Sequence, residues 1–183
     1  MKILTESKGL ADALKTWIGI LAILFAGAYS LLEYIEHKQT VKIERSLEYV
    51  SNFRGGITAE ARLSLNQLLT DQSQALSKIL SNNHLGKKQL NQSYNDFILR
   101  ITKSPQIQRN LEVVFSFFEE VVICVEKELC DKEVIQSFFS NEARALFNSY
   151  YPYVCSLRKQ WNNKTVYLKL ESFYLNKSDD ICS

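Results

Sequence analysis

The most apolar stretch of the chain lies near its start. Residues 16–32, "TWIGILAILFAGAYSLL", contain no charged side chain and are bracketed by Lys15 and Glu33. A helix needs roughly 17–25 apolar residues to cross the hydrocarbon core of a bilayer. Trp17 and Tyr34 lie near the two ends of the run, where aromatic side chains are enriched at membrane–water interfaces. The pattern predicts one transmembrane helix.

A secretion signal is the alternative for this stretch, because Ala26-Gly27-Ala28 resembles a small-x-small cleavage site. However, Glu6 and Asp12 dilute the positive charge that precedes the apolar core of a signal peptide. We therefore expect an uncleaved membrane helix.

The rest of the chain has apolar residues at helical spacing and no segment that alternates like a strand. The first helix should continue to about Arg54, because the pair Gly55-Gly56 is a natural stop. Ser104-Pro105 predicts the start of the most apolar of the later helices. Asp131 can cap a short helix that we expect to end at Phe139. Pro152 must kink or divide the helix that follows.

These elements predict an all-α fold, in which a single N-terminal transmembrane helix continues into a stalk and is followed by a helical bundle. The expected organisation is an N-terminal arm (1–15), the transmembrane helix (16–32), a helical stalk (33–54), a helical soluble domain (57–177) and a tail (178–183).

Small residues follow one face of the membrane helix. Ala22, Ala26 and Ser30 recur every four residues, and Gly19 lies one turn before them. Small residues at this spacing let helices approach closely in lipid. Copies associated through this face would enclose a weakly polar passage that can close by dewetting, with Glu33 at one mouth. The alternative for Glu33 is a solvated carboxylate on a helix that leaves the membrane.

Charge is segregated along the soluble part. Residues 51–110 contain eight Lys/Arg and three Asp/Glu, whereas residues 111–142 contain two Lys and eight Asp/Glu. The basic segment could bind an anion such as a nucleotide or an oligonucleotide, or the two faces could attract each other within the fold. The anion-binding candidates are Arg54, Arg62, Lys87, Lys88, Arg100 and Lys103.

Catalytic and metal-binding patterns are missing from the sequence. His37 and His84 have no second His or Cys at ligand spacing, and no nucleophile elbow or phosphate-binding loop occurs. We therefore expect no enzyme, no metal and no cofactor. In a chain with this much core material, the four cysteines are expected to be free thiols; they are Cys124, Cys130, Cys155 and Cys182. Unpaired thiols favour a cytoplasmic C-terminal domain on the bacterial inner membrane, although the flanking Lys/Arg are nearly balanced.

The region from Arg109 to Tyr174 carries a family resemblance. "RNLEVVFSFFEEVVICVEKELCDKEVIQSFF", "YYPYVCSLRKQ" and "VYLKLESFY" resemble a bacterial family of small membrane-anchored helical proteins of unknown function. The positions that match its pattern are Asn110, Phe117, Phe118, Glu119, Asp131, Arg158 and Tyr167. On this pattern, Glu119 and Arg158 could form a partly buried ion pair between two helices.

Proteins of this build also resemble membrane effectors of antiphage systems that work with a nucleotidyltransferase, such as the Hailong type. That resemblance implies a cytoplasmic domain that senses a nucleotide-derived signal and a membrane segment that breaches the barrier. The sequence-based hypothesis is a homo-oligomeric membrane effector with a gated ion-conducting pore. The alternative is a membrane-tethered scaffold that holds a protein partner at the membrane.

Overall fold

The computed structural model describes the backbone of residues 3–82, 86–175 and 182, and the side chains from Trp17 onward except that of Leu175. The described part contains seven α-helices and no strand, which confirms the all-α prediction. Residues 83–85, which include His84, and the predicted tail apart from Cys182 lie outside the described residues.

The chain divides into two units, Met1–Lys42 and Ile43–Ser183. Helix α1 (Ile3–Arg54) supplies the described part of the first unit and the first helix of the second. Every side chain from Trp17 to Thr40 is exposed to the surroundings. The helix is long and apolar enough to cross a membrane once, as its sequence predicted.

Six further helices complete the second unit. They are α2 (Gly56–Asp71), α3 (Ser73–Leu80), α4 (Lys87–Ile101), α5 (Pro105–Glu126), α6 (Lys132–Gln160) and α7 (Leu168–Leu175). Gly56 follows the end of α1 with a φ of +62°, a backbone conformation that glycine adopts without steric cost. The Gly55-Gly56 pair therefore lets the chain turn from α1 into α2.

Helix α5 is the centre of this unit, and it contributes nine buried side chains. Four buried phenylalanines from three helices form a cluster: Phe53 of α1, Phe117 and Phe118 of α5, and Phe139 of α6. The Phe53 ring centroid lies 5.2 Å from those of both Phe117 and Phe139. Aromatic rings at this separation attract each other electrostatically, in addition to the stabilisation from burying their apolar surface. This cluster joins α1, α5 and α6.

The helix starts follow the sequence signals. Pro105 occupies the first turn of α5, and the Asp131 side chain accepts a hydrogen bond from the Val134 N–H at the start of α6. The Asp131 N–H donates to Ser46 Oγ of α1 at 2.8 Å. The cap of α6 is therefore also fastened to α1.

The expectation that the helix capped by Asp131 ends at Phe139 is wrong. Helix α6 continues to Gln160, because Ala143, Leu146 and Phe147 extend the buried face that begins with Ile135 and Phe139. Burial of this face outweighs the weak tendency of Ser140 and Asn141, which follow Phe139, to end a helix. The expected effect of Pro152 is present as a kink, with non-helical dihedral angles at Tyr150.

The expectation of four free thiols is also wrong. Cys124 is bonded to Cys130, and Cys155 is bonded to Cys182. Residues close in the fold but separated in sequence cannot be recognised as bonded from spacing alone. The argument for a cytoplasmic domain that was based on unpaired thiols no longer holds.

We expect the Phe139→Ala substitution to lower the free energy of unfolding of the second unit by about 3–5 kcal/mol, because it leaves a cavity among three phenylalanine rings. Thermal unfolding in detergent should shift down by roughly 10 °C. The neighbouring Phe138 is 45% exposed and provides the matched control, since Phe138→Ala should change little. Equal shifts for the two variants would contradict the placement of the cluster.

Candidate functional site

A cavity of the second unit lies between α4 and α6 and has a volume of about 880 Å³. Most of its lining residues are polar or cationic. They come from α4, from the second half of α6, from the segment after α6 and from Cys182. The lining consists of Asn91, Asn95, Leu99, Tyr151, Pro152, Cys155, Ser156, Arg158, Lys159, Asn162, Lys164 and Cys182. Cavities that hold small ligands have volumes of about 300–1,000 Å³. The space is sufficient for a ligand of nucleotide size.

Helix α4 presents one polar face to the cavity. Asn91, Asn95 and Leu99 follow one another at intervals of four residues, so they lie above one another on the same side of the helix. Helix α4 also buries Phe97 and Ile98. The hydroxyl of Tyr94 donates to the Ser149 carbonyl at 2.8 Å and fixes α4 against α6.

The kink of α6 shapes the other wall. Pro152 lines the cavity and has no N–H to donate to the carbonyl of residue 148, so the helix bends there. Beyond the kink, Leu157 and Arg158 are buried, whereas Lys159 is exposed. The last turn of α6 therefore faces the core on one side and the cavity mouth on the other.

A buried ion pair holds this end of α6. Arg158 Nη2 lies 2.7 Å from Glu171 Oε2 on α7, and the two side chains are 5% and 2% exposed. The Arg158 Nε also donates to the Val166 carbonyl at 2.9 Å. A buried charge needs such a partner, because removing it from water is costly. The pair fixes the geometry of the cavity wall, and the Glu171 carboxylate neutralises the positive charge of Arg158.

The predicted ion pair between Glu119 and Arg158 is wrong, since Arg158 bonds Glu171 instead. Glu119 receives backbone hydrogen bonds from Lys169 and Leu170, in the first turn of α7. Burial nevertheless raises the pKa of the Glu119 carboxyl above its usual value. Glu119 thus stabilises the start of α7 from the neighbouring helix, where an acidic group is favoured.

The cavity combines positive charge with amide groups. Lys159 and Lys164 are exposed cations at its edge, and Asn91, Asn95 and Asn162 provide amide groups. Ammonium groups and amide N–H groups donate hydrogen bonds to phosphate or carboxylate oxygens. No cluster of three metal-ligating side chains occurs among the described residues.

None of the six anion-binding candidates from the sequence lines this cavity. Three of them pack on aromatic rings: Arg54 on Phe138, Arg62 on Phe53 and Arg100 on Phe97. Arg62 also forms a 2.8 Å ion pair with Glu142. This pair joins the basic segment to the acidic one, as expected if the two segments attract each other within the fold. The other three candidates are exposed and lie near the ends of α4; they are Lys87, Lys88 and Lys103.

The candidates on the membrane helix are all exposed within this chain; they are Gly19, Ala22, Ala26, Ser30 and Glu33. A Cβ atom added to Gly19 would meet no other atom within 4 Å. Helical periodicity places Gly19, Ala22, Ala26 and Ser30 on one side of α1.

The positions that carried the family resemblance have structural roles. Asn110 donates to Ser64 Oγ at 2.9 Å, Asp131 caps α6, and Phe117 and Phe118 belong to the aromatic cluster. Tyr167 packs against Phe115, and burial raises the pKa of its hydroxyl to about 12. These residues hold the helices together.

The residues of the cavity were missed by the sequence interpretation. Two signals were present: Asn91 and Asn95 at a spacing of four, and three cations within seven residues at 158–164. The excess of positive charge in residues 51–110 instead predicted an anion site in that segment. Which cations share a cavity depends on how α4 packs on α6.

We expect Arg158→Leu to lower the free energy of unfolding by about 3–5 kcal/mol, because it leaves Glu171 buried without its partner. Denaturant unfolding in detergent measures the effect. Lys169→Leu, which breaks the exposed Lys169–Glu126 pair, is the control and should cost less than about 1 kcal/mol. The double variant Arg158→Leu/Glu171→Leu should recover much of the loss. A small effect of Arg158→Leu would contradict the role of the buried pair.

A family model described as "Domain of unknown function (DUF4760)" matches residues 17–176. The match includes α2 to α7 and most of α1, including its apolar run from Trp17. It supports the resemblance to a family of unknown function that the sequence pattern indicated. No curated protein and no solved structure matches the chain. Because the match spans most of the sequence, the chain belongs to the DUF4760 family.

Proposed function

We propose that this protein is a homo-oligomeric membrane effector. Its membrane helix associates with other copies to form a gated ion-conducting pore, and its helical second unit senses an anionic signal such as a nucleotide or an oligonucleotide. The setting we propose is bacterial antiphage defence of the Hailong type, in which a partner nucleotidyltransferase supplies the signal.

The observation that carries this proposal is the exposure of the membrane helix. Every side chain from Trp17 to Thr40 is exposed, so nothing in the described part of the chain covers the apolar run. Lipid and other copies of the helix are the surfaces that can cover it in a membrane. Association through Gly19, Ala22, Ala26 and Ser30 would bring the backbones close together.

A pore formed in this way would have an apolar constriction. Its lining of small and aliphatic side chains would exclude water in the closed state and conduct ions when wetted. Glu33 follows the apolar run directly and Glu36 lies one turn further along α1. Their carboxylates would form a ring at one mouth and favour cations. Closed cyclic symmetry is the expected arrangement of the copies.

The cavity between α4 and α6 supplies a site for the signal. Lys159 and Lys164 attract an anion, while the amides of Asn91 and Asn95 can orient it. A ligand can gate the pore only if it binds one state of the oligomer more tightly than the other. We therefore assign signal binding to this cavity rather than to the six cations selected from the sequence.

The location that we propose is the bacterial inner membrane, with the second unit in the cytoplasm. A nucleotide signal made by a cytoplasmic enzyme reaches the cavity only on that side. Disulfides in the cytoplasm are rare and are usually transient or redox-sensing. This placement therefore implies that at least one of the two disulfides is not permanent.

Replacing Ala26 by Leu should abolish ion conduction, because Ala26 lies in the middle of the small-residue face and a larger side chain would separate the helices. Ala28→Leu is the matched control, since residue 28 lies on the opposite side of α1. The membrane potential of bacteria that express each full-length variant, followed with a potential-sensitive dye, measures conduction. We expect depolarisation by the wild type and by Ala28→Leu only.

Two outcomes of that experiment would contradict the pore. Equal behaviour of the two variants would favour the tethered scaffold, which needs an apolar helix but no particular face. If the wild type leaves cells polarised, reconstitution in ligand-free liposomes removes any inhibitor that the host supplies. Absence of conductance in those liposomes would then exclude a pore that is open without the signal.

The double variant Lys159→Glu/Lys164→Glu tests the signal site. Its matched control is Lys87→Glu/Lys88→Glu, which reverses two exposed lysines from the sequence-based set. The probe is a fluorescent mixed-sequence DNA tetranucleotide, whose binding is followed by anisotropy at several salt concentrations. We expect the cavity variant to weaken binding at least about tenfold and to reduce the salt slope by roughly 1.4, the value for two lost phosphate contacts.

The control variant should bind the tetranucleotide nearly as well as the wild type. A stronger loss in Lys87→Glu/Lys88→Glu than in the cavity variant would return the site to the basic segment. Absence of binding by the wild type would contradict an oligonucleotide signal in this cavity.

A further inference from the structure

The two disulfides differ in their surroundings. Cys124 and Cys130 are 5% and 3% exposed and belong to the core of the second unit. Cys155 and Cys182 are only partly buried, and both line the cavity between α4 and α6. A disulfide can be reduced only if a thiolate reaches one of its sulfur atoms. Access therefore distinguishes the two bonds.

The disulfides also differ in what they hold together. Cys124–Cys130 spans six residues, and the backbone N–H of Cys130 already donates to the Cys124 carbonyl. The turn between α5 and α6 is thus closed by hydrogen bonds without the sulfur link. Cys155–Cys182 spans 27 residues and joins the C-terminal part of α6 to a residue beyond α7. Only this second bond ties distant parts of the chain.

Cys182 is bound into the polar network of the cavity wall. Its Sγ lies 3.7 Å from Arg158 Nη1 and 3.4 Å from the Tyr151 hydroxyl oxygen. Arg158 is paired with Glu171, and the Tyr151 hydroxyl also reaches that carboxylate. The position of Cys182 is therefore coupled to the residues that define the cavity.

We propose that Cys155–Cys182 is a redox-sensitive latch on this cavity. In the oxidised protein the bond holds Cys182 against α6 as part of the cavity lining. In the reduced protein Cys182 is no longer covalently attached to the wall, and the cavity is more accessible. Cys124–Cys130 stays oxidised under the same conditions because its sulfur atoms are buried.

The reaction is a thiol–disulfide exchange with a dithiol, and its electrons balance. One thiolate of the dithiol attacks Cys155 Sγ or Cys182 Sγ, the sulfur–sulfur bond breaks, and a mixed disulfide forms. The second thiol of the dithiol then displaces the remaining cysteine. The products are two cysteine thiols and the oxidised dithiol, so two electrons and two protons pass to the protein. An oxidising disulfide reverses the reaction.

The consequence for signalling rests on the proposed function, because it assumes that the cavity binds the signal. The redox step itself does not depend on that assumption. A cytoplasmic dithiol system would keep an accessible disulfide mostly reduced. Oxidative conditions would then close the latch and change the response to the signal.

The first test is native reduction of the full-length protein in detergent by graded dithiothreitol, followed by alkylation and mass spectrometry. We expect Cys155 and Cys182 to be alkylated at least about tenfold faster than Cys124 and Cys130. Equal rates for the four cysteines, or no alkylation before unfolding, would overturn the latch.

The second test asks whether the bond controls the cavity. Hydrogen exchange at residues 91–99 and 151–159 should increase in the Cys155→Ala/Cys182→Ala variant and in the reduced wild type. Cys124→Ala/Cys130→Ala is the matched control and should leave exchange in these segments unchanged. If the first variant does not fold, the reduced wild type gives the same comparison. Unchanged exchange after selective reduction would show that the bond is structural only.

Binding of the DNA tetranucleotide separates this proposal from the proposed function. If oxidised and reduced protein both fail to bind while exchange changes, the latch stands and the signal assignment fails. If both bind equally and exchange is unchanged, the latch fails and the signal site stands.

Discussion

The ion pair between Arg158 and Glu171 fixes the part of the molecule on which the candidate site depends. Both side chains are almost fully buried, so neither charge can be solvated by water if the other moves away. Arg158 also binds the Val166 carbonyl, which anchors the segment between α6 and α7. The end of α6, the start of α7 and one cavity wall are consequently held in one arrangement.

The rest of the second unit supports this arrangement through apolar packing. Helix α5 is buried along most of its length and brings together rings from α1, α5 and α6. Glu119 on the same helix reaches the first turn of α7 and is kept there at the cost of partial desolvation. Polar contacts thus position the helix ends, while phenylalanine packing holds the helices together.

The two units have different solvation needs. The apolar run of α1 has no cover within the described part of the chain and is long enough to cross a membrane. The second unit has its own core and presents a cavity with cations at its edge. In the function that we propose, the signal acts on the apolar helix by changing how copies of the protein associate.

Local chemistry was enough to predict the helical class, a helix long and apolar enough to cross a membrane, and several helix starts. A 17-residue uncharged run, Pro105 in the first turn of α5 and Asp131 at the cap of α6 act through neighbouring residues, so the sequence by itself determined them. The partner of Arg158, the pairing of the cysteines and the cations of the cavity were decided only by the tertiary structure. Each depends on which helix faces lie next to each other. Helix packing sets the distances between such residues, which are far apart in sequence.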